Sequence, residues 1–257
     1  MEFWTIEHFI AIVPAFIIGI VIAIILRKYL INKPLHIRMI PFQVCTIILL
    51  ILEVIKQIFS FEDGGYRLHS LPFHVCSLFL YLFPLLSFYK GKNSDLINIL
   101  ACTVSVALAI LMFTLPTTIF SVGENWNTDY MSFHTIVFHN LVLFMFVLIL
   151  FLDLYTPQEK NYLKEIIICC LIYCVIAALL SQLLKTNFHN FYDCSIEPIK
   201  DFIDSIKASA GYVFGQTLYV FLFTLVNIGF SILSYYAYVL ISKTFNKIMN
   251  NTNKQIE

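Results

Sequence analysis

Residues 8–26 read HFIAIVPAFIIGIVIAIIL, an unbroken apolar run with no Asp, Glu, Lys or Arg. As a helix rising 1.5 Å per residue it spans roughly 30 Å, the thickness of a bilayer's hydrocarbon layer. Six further apolar stretches follow at about 39–59, 71–88, 97–116, 133–153, 163–184 and 212–238. The 257 residues are 60% hydrophobic and 12% charged, whereas soluble domains run near 45–50% and about 25%. The expectation is an all-α, polytopic membrane protein, a single domain over 1–257 built as a bundle of seven transmembrane helices. A soluble Rossmann or barrel enzyme, a nucleic-acid binder with a basic face and a disulfide-stapled secreted domain are excluded.

An odd number of spans puts the termini on opposite sides. Of the sixteen Lys and Arg, only Lys56, Arg67, Lys185, Lys200 and Lys207 fall on one face, and the remainder lie on the other. The positive-inside rule then sets the N-terminus outside and the C-terminus in the cytoplasm. The first span lacks a basic n-region, since residues 1–8 carry two Glu and no Lys or Arg, so it is expected to stay attached rather than be cleaved. High Ile, Phe, Lys and Asn content suggests an AT-rich bacterial genome, so the membrane expected for these spans is a bacterial plasma membrane. After Pro198, residues Ile199, Phe202, Ile203 and Ile206 recur at i, i+3, i+4 and i+7, with Lys200, Asp201, Asp204 and Lys207 on the opposite arc. That pattern predicts a short amphipathic helix over about 198–208, lying on the outer interface.

Ionisable groups inside a span are costly and are functional candidates for that reason. Counting helical rise from the span ends puts Glu53 roughly 9 Å below the outer surface, Cys76 roughly 7 Å, His139 about 9 Å and Gln216 about 6 Å. A thiol among apolar neighbours needs a base to become a nucleophile. His139 is the candidate base, with Glu53 orienting its imidazole as the third member of a triad does. Gln216 is a candidate oxyanion donor or interhelical glue. His74 and Cys76 would stand about 200° apart on a regular helix, although Pro72 in the first turn is able to loosen it. Each residue also has a plain structural alternative. The other cysteines read as packing residues, Cys76 and Cys194 as a disulfide, and Glu53 with Lys56 as an ion pair one turn apart. His134 and His139, about 140° apart, do not form a same-face metal clamp, and neither a metal nor a soluble cofactor is expected.

The segment Leu71-Pro72-Phe73-His74-Val75-Cys76, with Glu53 before it, Leu115-Pro116, His139 and Asn187-Phe188 after it, resembles the YwaF-like integral membrane proteins. These are the bacterial branch of the transmembrane protein 164 family of acyltransferases. The resemblance covers roughly residues 40–190. It implies a seven-helix enzyme moving fatty acyl groups between membrane phospholipids and lysophospholipids, with Cys76 as nucleophile and His139 assisting. His74, His134, Asn140 and Gln216 are the expected substrate-binding residues. Two departures stand out: Asn140 where family members often have Gly, and a stretch from Ser205 to Gly211 lacking the Pro and Trp expected there. The competing expectations are a seven-helix transporter or sensor, with Glu53, Lys56, His139 and Gln216 lining a path, and a membrane hydrolase using water on the same cysteine.

Overall fold

The computed structural model describes residues 5–62, 65–116, 119, 130–157, 160–194 and 197–256. Nine helices are present among them: α1 Ile6–Leu30, α2 Leu35–Arg38, α3 Ile40–Phe59, α4 Phe79–Phe88, α5 Ser94–Thr114, α6 Tyr130–Phe151, α7 Leu163–Leu184, α8 Glu197–Ala210 and α9 Tyr212–Ile256. A short antiparallel hairpin pairs β1 Phe61–Glu62 with β2 Gly65–Tyr66. Six helical stretches are long and apolar enough to cross a membrane, namely Ile6–Leu30, Leu35–Phe59, Ser94–Thr114, Tyr130–Phe151, Leu163–Leu184 and Tyr212–Met249. Val75–Phe88 is a shorter apolar helical segment. The protein is therefore an all-helical, multi-pass membrane protein.

The third apolar stretch departs from the continuous helix expected over 71–88. Only Phe79–Phe88 is α-helical, Val75–Leu78 forms a 3-10 turn ahead of it, and 71–74 are not helical. Pro72 accounts for the first of these residues, because its ring disfavours helical geometry at the residue before it. Leu71 accordingly sits at φ −57°, ψ 141°. The same effect ends α5, where Leu115 at φ −136°, ψ 58° precedes Pro116. Two other boundaries move. Helix α6 begins at Tyr130 rather than near Phe133, so His139 lies nine residues in, about 14 Å along the axis. Helix α9 runs on to Ile256, well past the apolar limit near 238.

The chain divides into two compact units. The first comprises residues 1–60, 79–161 and 234–257, in which α6 packs against α1, α3 and α5, and α4 against α3 and α5. Phe42, Leu49, Phe79, Phe83, Ile99, Met112, Met145 and Tyr238 are fully buried there. Helices in lipid gain little from apolar contact and rely on close packing and hydrogen bonds instead. Thr46 Oγ1 and Ser87 Oγ accordingly meet at 2.8 Å between α3 and α4, and Gln43 Nε2 donates to the Ser87 carbonyl at 3.1 Å. At the other end of α6, Arg27 donates to the Phe151 carbonyl at 2.5 Å and Arg38 to the Leu152 and Asp153 carbonyls at 2.7 and 3.0 Å. Two guanidinium groups thus satisfy carbonyls that a helix C-terminus leaves without partners.

The second unit comprises residues 61–78 and 162–233. Cys174, Ala177, Ala178 and Phe191 form one of its apolar clusters, with Val220 and Phe223 against them. Cys194, Ile203 and Tyr219 form another, which seats α8 by one residue of its apolar arc. Lys200 reinforces this with a 2.7 Å ion pair to Asp193. Gly211, at φ +93°, makes the left-handed turn that joins α8 to α9 as the single residue between them.

Candidate functional site

Cys76 lies half-buried in the 3-10 turn Val75–Leu78, at the beginning of the apolar helical segment Val75–Phe88. Negative charge developing there meets the positive end of the helix dipole. His74 stands just outside this turn, so the angular separation reckoned for a regular helix does not apply to it. Its Nε2 is 3.0 Å from the His69 carbonyl, and a carbonyl only accepts, so Nε2 carries the proton. Its Nδ1 is consequently an acceptor, and the His189 backbone N–H points at it from 3.5 Å. With each ring nitrogen so occupied, His74 acts as a latch between the Cys76 lead-in and the loop after α7.

That loop is held by side-chain hydrogen bonds. Asn187 Oδ1 accepts from the backbone N–H groups of Tyr192 and Asp193 at 3.1 and 3.2 Å, while its Nδ2 donates to the Asp193 carbonyl at 3.0 Å. Gln216 Nε2 donates to the carbonyls of Phe191 and Tyr192 at 3.2 and 3.0 Å. The Tyr219 hydroxyl donates to the Asn190 carbonyl. Within this frame His189 and Asn190 are both left-handed, at φ 49° and 60°, a conformation that costs about 1–2 kcal/mol per L-residue. Asn227 Nδ2 donates to the Phe223 carbonyl at 2.8 Å, which leaves its Oδ1 to accept from His189 Nε2–H at 2.7 Å. The rings of Tyr173, Phe191 and Phe223 lie 5.7, 5.9 and 5.7 Å from that of His189. Burial among them holds the imidazole below the ordinary histidine pKa, against the opposing pull of Asn227. The Tyr173 hydroxyl donates to the Phe73 carbonyl at 3.3 Å and lies within electrostatic reach of Cys76.

Sequence reasoning placed Asn187-Phe188 in the family pattern but passed over His189, Asn190 and Asn227. The available signal was the run Asn187-Phe188-His189-Asn190, whose asparagines tolerate left-handed backbone better than other residues do. Gln216 ties α9 to the loop after α7 and not to a neighbouring helix. Both its N–H groups are spent on carbonyls, and its Oε1 is buried with no hydrogen-bond partner, so it offers an acceptor rather than an oxyanion donor. All seven cysteines are thiols, Cys76 and Cys194 included.

The other expected residues lie in the first unit. Lys56 Nζ sits 3.2 and 3.3 Å from the two carboxylate oxygens of Glu53, and Gln57 Nε2 donates to Oε1 of the same group. The ion pair one turn apart on α3 is therefore present. His139 Nδ1 is 2.7 Å from the Thr135 carbonyl and must donate to it. The neutral ring then keeps its lone pair on Nε2, the form a general base needs. Orientation through Nδ1 comes from that carbonyl rather than from Glu53. Asn140 Nδ2 donates to the Ala11 and Ile136 carbonyls at 3.0 and 2.9 Å, tying α6 to α1. His134 is buried, its ring 5.5 Å from that of Phe138 and 6.1 Å from that of Tyr130. Its Nε2 and the Tyr130 hydroxyl are buried without hydrogen-bond partners.

Neither the curated proteins nor the solved structures contain a match to this sequence. The model of the TMEM164 family, in contrast, matches residues 3–227. That match takes in the cysteine turn, the latched loop and the polar faces of α3 and α6, and by it the chain belongs to the TMEM164 family.

Proposed function

We propose that the protein is a membrane-embedded acyltransferase that moves fatty acyl groups between phospholipids through a thioester on Cys76. The observation that carries this reading is the position of Cys76. It sits in a 3-10 turn at the start of an apolar helical segment, and its lead-in is tied by His74 to a loop with two consecutive left-handed residues. Such strained, heavily bonded backbone concentrates at functional sites. In the first half-reaction a histidine base takes the thiol proton, and Sγ bonds to the ester carbonyl carbon of a donor phospholipid. The C–O bond then breaks, and the departing lysophospholipid alkoxide recovers the proton. In the second, the hydroxyl of an acceptor lysolipid gives its proton to the base and attacks the thioester carbonyl, the C–S bond breaks, and the Cys76 thiolate recovers that proton. The balance needs no metal and no soluble cofactor. The resemblance gives the base role to His139, whose tautomer suits it.

The same reading places the chain in the YwaF-like bacterial branch and in the bacterial plasma membrane. It takes Val75–Phe88, about 23 Å long by its mixed rise, as a short seventh crossing with the N-terminus outside. A transporter or sensor is the second reading, favoured by the Glu53–Lys56 pair, whose side chains are only 12% and 15% exposed. Trapping separates the two. Incubation with acyl-labelled phospholipid is expected to leave a hydroxylamine-labile acyl group on the wild type. Cys76→Ala is expected to lose both this group and acyl exchange, while Cys102→Ala keeps both. Acyl exchange undiminished in Cys76→Ala membranes rejects the thioester route. Release of free fatty acid with no acceptor product identifies a hydrolase instead.

A further inference from the structure

Three polar groups in the first unit are not used by the acyl-transfer chemistry. Lys56 Nζ has three N–H bonds, of which the Glu53 carboxylate engages at most two at 3.2 and 3.3 Å. The Tyr130 hydroxyl and His134 Nε2 have no partner although both atoms are buried, and His134 as a residue is only 5% exposed. The last two are four residues apart and so share one face of α6. That face meets α3, because the Tyr130 ring stacks on Phe59 with centroids 4.4 Å apart and planes inclined by 24°. Lys56 is three residues before Phe59 and lies on the same side of α3. Lys56 lies within electrostatic reach of His134, and Glu53 within that of Tyr130. Leaving two buried polar atoms unsatisfied is costly, and native proteins do so where a water, an ion or a ligand belongs.

We propose that Lys56, Tyr130 and His134 form the seat of the phosphate group of a phospholipid. A phosphodiester carries one negative charge and several acceptor oxygens. The three groups supply one N–H from an ammonium, one O–H from a phenol and one N–H from the Nε2 tautomer of an imidazole. Glu53 is paired with Lys56, accepts a hydrogen bond from Gln57, and holds the ammonium in place rather than binding the lipid. The proposal rests on the reading of the substrate as a phospholipid, and it gives the polar ends of α3 and α6 the task of choosing lipids that bear a phosphate.

The test uses the purified full-length chain in detergent and native mass spectrometry. Retention of dioleoyl phosphatidylcholine is compared with that of dioleoylglycerol, which has the same ester carbonyls and no phosphate. The wild type is expected to prefer the phospholipid by at least about tenfold, and millimolar inorganic phosphate is expected not to displace it. Tyr130→Phe removes one hydroxyl at almost constant volume, and it is expected to lose most of that preference, as is Lys56→Gln. Equal retention of the two lipids by the wild type overturns the proposal. An undiminished preference in Tyr130→Phe overturns it too, since a buried water then satisfies these groups. Displacement by inorganic phosphate overturns it in favour of a free-anion site. Cys76→Ala is expected to keep the lipid preference while losing acyl exchange. Preference without exchange in the wild type defeats the acyl-transfer reading and leaves the headgroup seat standing.

Discussion

His189 shows what a single residue contributes when its backbone and side chain are both constrained. Its N–H reaches His74, its Nε2 reaches Asn227, and its φ of 49° is one that most residues avoid. A neutral ring is required, because a second proton would have to be carried among Tyr173, Phe191 and Phe223. Burial lowers the pKa of His189 in the folded protein relative to the unfolded chain. Above the ordinary histidine pKa both states are neutral and the full stability is present. As pH falls through that value the unfolded chain takes up the proton first, and stability declines. Thermal unfolding in detergent is expected to show a larger fall in Tm from about pH 7.5 to about pH 5.5 for the wild type than for His189→Gln. Equal falls would place the titration on other histidines. At this scale the sequence was partly legible. The Glu53–Lys56 pair follows from its i, i+3 spacing alone, whereas the loop carbonyls that Gln216 meets do not follow from an amide in a span. The tautomers of His74 and His139 were not legible, because they depend on which backbone carbonyl each ring meets.

Among the elements, α8 and the start of α9 are fitted to each other through a glycine. A Cβ on Gly215 would lie 2.6 Å from Lys207 Cγ and 3.0 Å from the Lys207 backbone N and Cα. The backbone atoms cannot step aside as a side chain does, so Gly215→Ala must push α8 outward and weaken the seat of Ile203 against Cys194 and Tyr219. The expected loss is about 1–3 kcal/mol, read as a Tm lowered by several degrees. Gly229 lies in the same helix with nothing within 4 Å of its Cβ position, so Gly229→Ala is expected to be neutral or mildly stabilising through helix propensity. Similar losses in both variants would show that helix flexibility matters rather than the contact. Periodicity made α8 legible, since its apolar residues recur at helical spacing. The break before α4 was harder to read. Hydropathy treats Leu71–Phe88 as one apolar run and registers neither the bias of Pro72 against helical geometry at Leu71 nor the 3-10 turn Val75–Leu78.

For the whole molecule, the multi-pass helical character is what sequence carries best, because it follows from composition along the chain, although the described residues hold six long apolar helices and not the seven expected. Arg27 and Arg38 anchor the C-terminal end of α6, and Lys243 and Lys247 lie on the far part of α9. In the topology proposed above, which follows the positive-inside rule, this basic end faces the cytoplasm. With Val75–Phe88 counted as a crossing, Cys76 opens it from the outer side. An acyl-coenzyme A donor is confined to the cytosol, so a thiol reached from outside must draw its acyl groups from lipids already in the bilayer. The expectation is acyl exchange that proceeds without acyl-coenzyme A and is not increased by adding it. Right-side-out and inside-out vesicles treated with a membrane-impermeant maleimide supply the check on topology. The part of the labelling that disappears in Cys76→Ala is expected in right-side-out vesicles. If it appears only in inside-out vesicles, or if exchange requires added acyl-coenzyme A, the outer-leaflet assignment fails while the thioester on Cys76 remains open to its own test.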